Sequence, residues 1–99
     1  MNKIYRNDIG TKISLNADID ISAAEVLKIK YKKPSGDINS WNAILEGTEE
    51  AYYVTQEGDL DEIGKWEVQL YVELSDWKGS GEVTSFHVYE EIELIESSG

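Results

Sequence analysis

The chain has no cysteine and a single proline among its 99 residues. The missing thiols exclude a disulfide scaffold, a thiolate metal site and a cysteine nucleophile, and they leave the redox compartment open. No stretch approaches the roughly 20 consecutive apolar residues of a membrane-spanning helix. The opening Met1-Asn2-Lys3-Ile4-Tyr5-Arg6-Asn7 lacks the apolar centre of a secretory signal, so the mature protein is expected to be the whole chain. Positive charge is scarce as well. Nine Lys and Arg stand against 20 Asp and Glu, and the net charge of −11 repels nucleic-acid phosphates and anionic lipid alike. Neither nucleic acid nor membrane is an expected partner. Histidine occurs once, as His87, which follows Ser85 by one alternation of a strand pattern. Strand rise sets the two Cα atoms roughly 7 Å apart, too open for a dependable bond between nucleophile and base. No catalytic residue, no cofactor and no enzyme is therefore expected. The acid groups Asp18/Asp20, Asp59/Asp61/Glu62 and Glu90/Glu91 match no D-x-D-x-D-G calcium loop. The expectation is that they cap and solvate turns.

What the chain does contain is a rhythm of strands and turns. Ninety-nine residues make one domain, and glycines at 10, 36, 47, 58, 64, 79 and 81 divide it into runs of alternating or β-branched residues. From Lys65 to Leu74, Trp66, Val68, Leu70, Val72 and Leu74 fall on one face and Lys65, Glu67, Gln69, Tyr71 and Glu73 on the other. That period of two is a half-buried strand. Val26 to Lys32 repeats it, with Leu27, Ile29 and Tyr31 inward and Lys28, Lys30 and Lys32 outward. Weaker patterns place strands at Thr11 to Leu15, Ile38 to Leu45, Ala51 to Gln56 and Glu82 to Tyr89. Lys33-Pro34-Ser35-Gly36-Asp37 is a turn between antiparallel neighbours. Ser22-Ala23-Ala24-Glu25 has the spacing of a helical capping box, and Asp59 to Ile63 is read as a second single turn. The acidic end from Glu90 extends the final strand before fraying.

About seven short strands, each with one apolar face, bury those faces as two packed sheets. The expected fold is an all-β antiparallel sandwich over residues 1–99, with an N-terminal arm at 1–10 and an acidic C-terminal tail at 90–99. Trp41 and Trp66 are expected at the centre of the core, one from each sheet, because large rings fill the roughly 10 Å gap between sheets.

Asp61-Glu62-Ile63-Gly64-Lys65-Trp66-Glu67-Val68 resembles the Gly-x-aromatic entry to the penultimate strand of immunoglobulin-like domains. Trp66 stands where those domains usually have Tyr, and Val68 where they have Cys, so packing must replace the sheet-bridging disulfide. Ile4-Tyr5-Arg6-Asn7-Asp8-Ile9-Gly10-Thr11, Asp20 to Gly36, and Tyr53 to Trp66 together resemble the small immunoglobulin-like proteins of tailed-bacteriophage particles. The N-terminal domain of phage baseplate upper proteins typifies them. The resemblance implies an immunoglobulin-like sandwich and a non-enzymatic virion component, made in the host cytoplasm. It would act as a capsid decoration or as part of the neck, tail or baseplate, binding other virion proteins and self-associating in the particle.

Three groups of residues are candidates for those contacts. Trp77 lies in the polar stretch Ser75 to Gly81, where a large ring either anchors an interface or folds back over the sandwich edge. Lys28, Lys30 and Lys32 line one face of a strand, either guarding a sheet edge or meeting an acidic patch on a neighbour. Tyr5 and Arg6 belong to the N-terminal arm. Two other classes of function compete with the virion reading. The net charge suits an acidic DNA mimic that blocks a host DNA-binding protein, and the three tryptophans suit a carbohydrate-binding module.

Overall fold

A computed structural model of the chain describes residues 3–92. All regular structure in them is β, and no helix forms. The strands are β1 (Ile4–Tyr5), β2 (Lys12–Asn16), β3 (Val26–Lys32), β4 (Ile38–Asn42), β5 (Ile44–Glu46), β6 (Glu50–Val54), β7 (Gly64–Glu73) and β8 (Lys78–Tyr89). They form a five-stranded sheet in the order β1-β8-β7-β3-β4 and a three-stranded sheet in the order β2-β6-β5, arranged as a sandwich. Every pairing is antiparallel except that of β1 with β8.

The two clean alternations become the middle of the larger sheet. β3 pairs along its whole length with β7, Ile29 opposite Leu70 and Tyr31 opposite Val68. Its Leu27, Ile29 and Tyr31 therefore share the inner face with Trp66, Val68, Leu70 and Val72. The turn after Lys33 closes as expected, Gly36 donating to the Lys33 carbonyl at 2.8 Å, and it returns β4 alongside β3.

Several expectations are corrected here. The run from Ile38 to Leu45 is two strands, so the described residues hold eight. At Ala43 the N–H donates to the Leu27 carbonyl, and the chain leaves the larger sheet for the smaller one. Trp41 consequently sits in the same sheet as Trp66, since the hairpin ties β4 to β3 and β3 pairs with β7. The final strand begins four residues earlier than Glu82, at Lys78, because Leu74 donates to the Trp77 carbonyl at 2.7 Å and closes a tight turn. At its other end β8 stops at Tyr89; extension of the strand past Ile92 lies outside the described residues. The capping box also fails. Asp20, not Ser22, organises that turn by accepting from both the Ser22 N–H and its hydroxyl, which holds the Asp20 carboxyl below its ordinary range.

The core is an aromatic row rather than a pair of tryptophans. Tyr53 from the smaller sheet stacks on Trp41 with ring centres 4.7 Å apart and planes at 9°. Trp41 stacks on Tyr31 at 4.3 Å and lies 6.3 Å from Trp66, whose other side meets Phe86 at 5.9 Å. Such pairs contribute about 0.5–1.5 kcal/mol each beyond their buried area. Ile13, Ile21, Ala51 and Leu60 close the core around the row. The one buried polar side chain among the described residues, Thr55, is satisfied: its hydroxyl oxygen accepts from the Thr11 N–H and itself donates to the Asp8 carbonyl.

Trp66 also fixes the loop that precedes it, its indole N–H donating to the Glu62 carbonyl at 2.9 Å. The Glu62 carboxylate accepts from the N–H and hydroxyl of Ser35 in the β3–β4 turn. Pro34 of that turn packs on Gly64, where an added Cβ would lie 2.9 Å from the proline ring on a backbone with φ of +130°. Gly64→Ala is therefore expected to lower unfolding free energy by about 1–3 kcal/mol in urea denaturation. Gly81→Ala, which meets nothing within 4 Å, should leave the midpoint nearly unchanged; equal effects would refute the account.

Candidate functional site

The outward face of the five-stranded sheet gathers the lysines. Cross-strand partners share a face, so register places Lys28, Lys30 and Lys32 of β3 beside Asn42, Ser40 and Ile38 of β4 and beside Tyr71, Gln69 and Glu67 of β7. Lys65 and Lys78 join them through their pairing with His87 and Glu73. Among the described residues that register places on this face, five lysines thus meet two glutamates, Glu67 and Glu73, in a chain whose net charge is −11. Lys30 donates to the Ser80 hydroxyl at 2.8 Å and lies 5.4 Å from the centre of the Tyr71 ring. Lys78 lies 3.9 Å from Glu73. Among the described residues Lys28, Lys32 and Lys65 form no ion pair. β3 lies inside the sheet, so its lysines do not guard an edge; the edge strand is β4.

On this face Lys30, Lys32, Glu67, Gln69, Ile38 and Val83 line a groove of about 300 Å³. Ile38 is 71% exposed and Val83 57%. These two open aliphatic side chains give the lysine face apolar surface as well as charge. Neither residue was among the sequence candidates, although the alternation already points Val83 outward with Ser85 and His87. What the pattern could not supply was the sheet order and register that put Val83 and Ile38 on one groove with β7 and β3 between them.

Trp77 is brought to a different place. Its ring folds back over Gly79, where a Cβ would collide with it, and stays 44% exposed. It closes one end of an open seam between β2 and β8, together with Ala17, Ile19, Leu70 and Val72. The seam continues as a cleft of about 560 Å³ between Ser14 to Asp18 and Ser80 to Thr84, because β1 covers only Val88 and Tyr89 of the β8 edge.

Tyr5 and Arg6 lie at the opposite end of β8. Tyr5 pairs with Tyr89, and the Arg6 guanidinium meets Glu91 at 3.1 Å, with Asn7 donating to the other carboxylate oxygen. Glu91 is held below the ordinary carboxylate range by a backbone hydrogen bond first, then by Asn7 and Arg6. The arm is thus latched to the sheet, away from the lysine groove and from Trp77. His87 is exposed on the lysine face with its ring 4.5 Å from that of Tyr89. Three acids between β6 and β7 have structural partners: Asp59 accepts from the Gln56 N–H and the Tyr53 hydroxyl, Asp61 pairs with Lys33, and Glu62 holds Ser35. Among the described residues no three His, Asp or Glu side chains converge as a metal site would require.

Compared with protein-family models, with curated proteins and with solved structures, the chain finds no match.

Two predictions arise from these contacts. Removal from water, reinforced by its bond to Asp59, pushes the Tyr53 hydroxyl up to about 12 from an ordinary 10. The folded state then retains a proton that the unfolded chain releases, so this stability is full below about pH 10 and is lost as pH rises towards 12. Tyr53→Phe should cost about 1–2 kcal/mol at pH 7 and show a shallower decline between pH 10 and 12 in urea unfolding. Matching slopes in the two proteins would count against it. Separately, Gly79→Ala should lift the Trp77 ring off the seam, increasing acrylamide quenching of tryptophan fluorescence and lowering stability by about 1–3 kcal/mol. Unchanged quenching would place the ring elsewhere.

Proposed function

We propose that the chain is a non-enzymatic adhesive subunit with an immunoglobulin-like fold, which docks on other proteins of a tailed-bacteriophage particle. The observation that carries the docking is the concentration of five lysines on one open sheet face of a strongly acidic chain. Charge separated in this way steers a complementary, acidic protein surface to one side of the molecule and turns the other sides away. Ile38 and Val83 supply apolar contact at the same place.

The immunoglobulin-like assignment draws support from the connections. The chain passes between sheets after β1, β2, β4 and β6, and the first strand returns to pair in parallel with the last. The particle assignment draws on the resemblance of Ile4 to Thr11, Asp20 to Gly36 and Tyr53 to Trp66. The same lysine face weighs against an anionic DNA mimic, which needs its acids continuous. Trp77, folded onto Gly79, is a poor platform for a sugar ring.

Carbodiimide coupling, which joins lysines to carboxylates in direct contact, tests the reading on purified particles of a phage that encodes the chain. Cross-links from Lys28, Lys30 or Lys32 to acids of other particle proteins are expected. Absence of the chain from the particle, or cross-links confined to other faces, would overturn it.

A further inference from the structure

We infer that the groove beside Lys30 and Lys32 takes the acidic C-terminal segment Ile92 to Glu96 of a second copy of this chain. The inference rests on the docking role of the lysine face and names its partner. The segment reads Ile92-Glu93-Leu94-Ile95-Glu96, two aliphatic residues bracketed by two carboxylates. The groove offers the complement: Ile38 and Val83 as apolar walls, with Lys30 and Lys32 between them, one carboxylate, Glu67, beside Lys32, and Lys28 next along β3. Ile92, the first residue of this segment, is 99% exposed and lies beyond the end of β8.

Reach decides between this copy and another. The Glu91 carboxylate is held by Arg6 and Asn7 at the β1 edge. Val83, the groove residue on β8, lies six positions before Tyr89 in the strand, roughly 20 Å at about 3.4 Å per residue. From Glu91 to Ile95 even a fully extended chain spans only about 14 Å. The segment therefore cannot fill its own groove, and a neighbour's can. Glu93 and Glu96 would sit against lysines that have no ion pair among the described residues or only a neutral partner. A five-residue contact buries far less than the roughly 1,200 Å² of a stable complex, and two chains at −11 repel each other at long range. The association is accordingly weak in free solution and grows with local concentration.

Sedimentation equilibrium of the full chain from micromolar to millimolar concentration tests this. A concentration-dependent mass above that of the monomer is expected. Leu94→Ser with Ile95→Ser on one side, and Lys30→Glu with Lys32→Glu on the other, should each lower the association constant at least tenfold. Combining the lysine pair with Glu93→Lys and Glu96→Lys should restore it. Variants on both sides of the contact keep the test valid if one of them misfolds. A chain that stays monomeric throughout, or self-association indifferent to all of these changes, overturns the inference. If the chain is monomeric yet its lysines cross-link to other particle proteins, the second-copy partner falls and the docking face stands. Self-association that follows the charge swap in a chain missing from particles has the reverse meaning.

Discussion

Tyr53 lying flat on Trp41 is the contact on which the sandwich depends. With no cysteine to bridge the sheets, the smaller sheet needs another lateral anchor, and it supplies one ring to a row whose other members all belong to the larger sheet. Trp41 can receive that ring because the Pro34 turn brings β4 back beside β3, and Trp66 holds the turn through the backbone and carboxylate of Glu62. Core, hairpin and loop are therefore one connected structure. The inner faces are committed to it apart from the open seam beside Leu70 and Val72.

What could be read from the residues followed the strength of the alternation. β3 was bounded to the residue, and β7 to within one, because their periods of two run unbroken for seven and ten residues. The break at Ala43 was hidden since the same alternation continues through it; only the hydrogen bond to Leu27 shows where the chain changes sheets. The Trp77 stretch looked like a long loop because glycine and serine favour turns over strands, yet Gly79 is required there by the ring above it. β1, two residues long, has no periodicity to read and exists through its partner.

The lysine face was legible in part for the same reason. Alternation shows that Lys28, Lys30 and Lys32 point the same way, but a single strand cannot report its neighbours. The sheet order puts them in the sheet's interior, which removes edge-guarding as their role, and register adds Lys65, Lys78, Ile38 and Val83. Segregating charge in this manner lets a protein that is repelled by polyanions keep one cationic side.

The parallel pairing of β1 with β8 has a mechanical meaning. The chain enters β1 at Ile4 and leaves β8 at Tyr89, so tension applied through the two flanks would drag these strands past one another lengthwise. Their hydrogen bonds and the Arg6–Glu91 pair would be loaded together instead of parting one after another as in a peeled hairpin. Strain applied in that way would meet the shear resistance of both contacts at once.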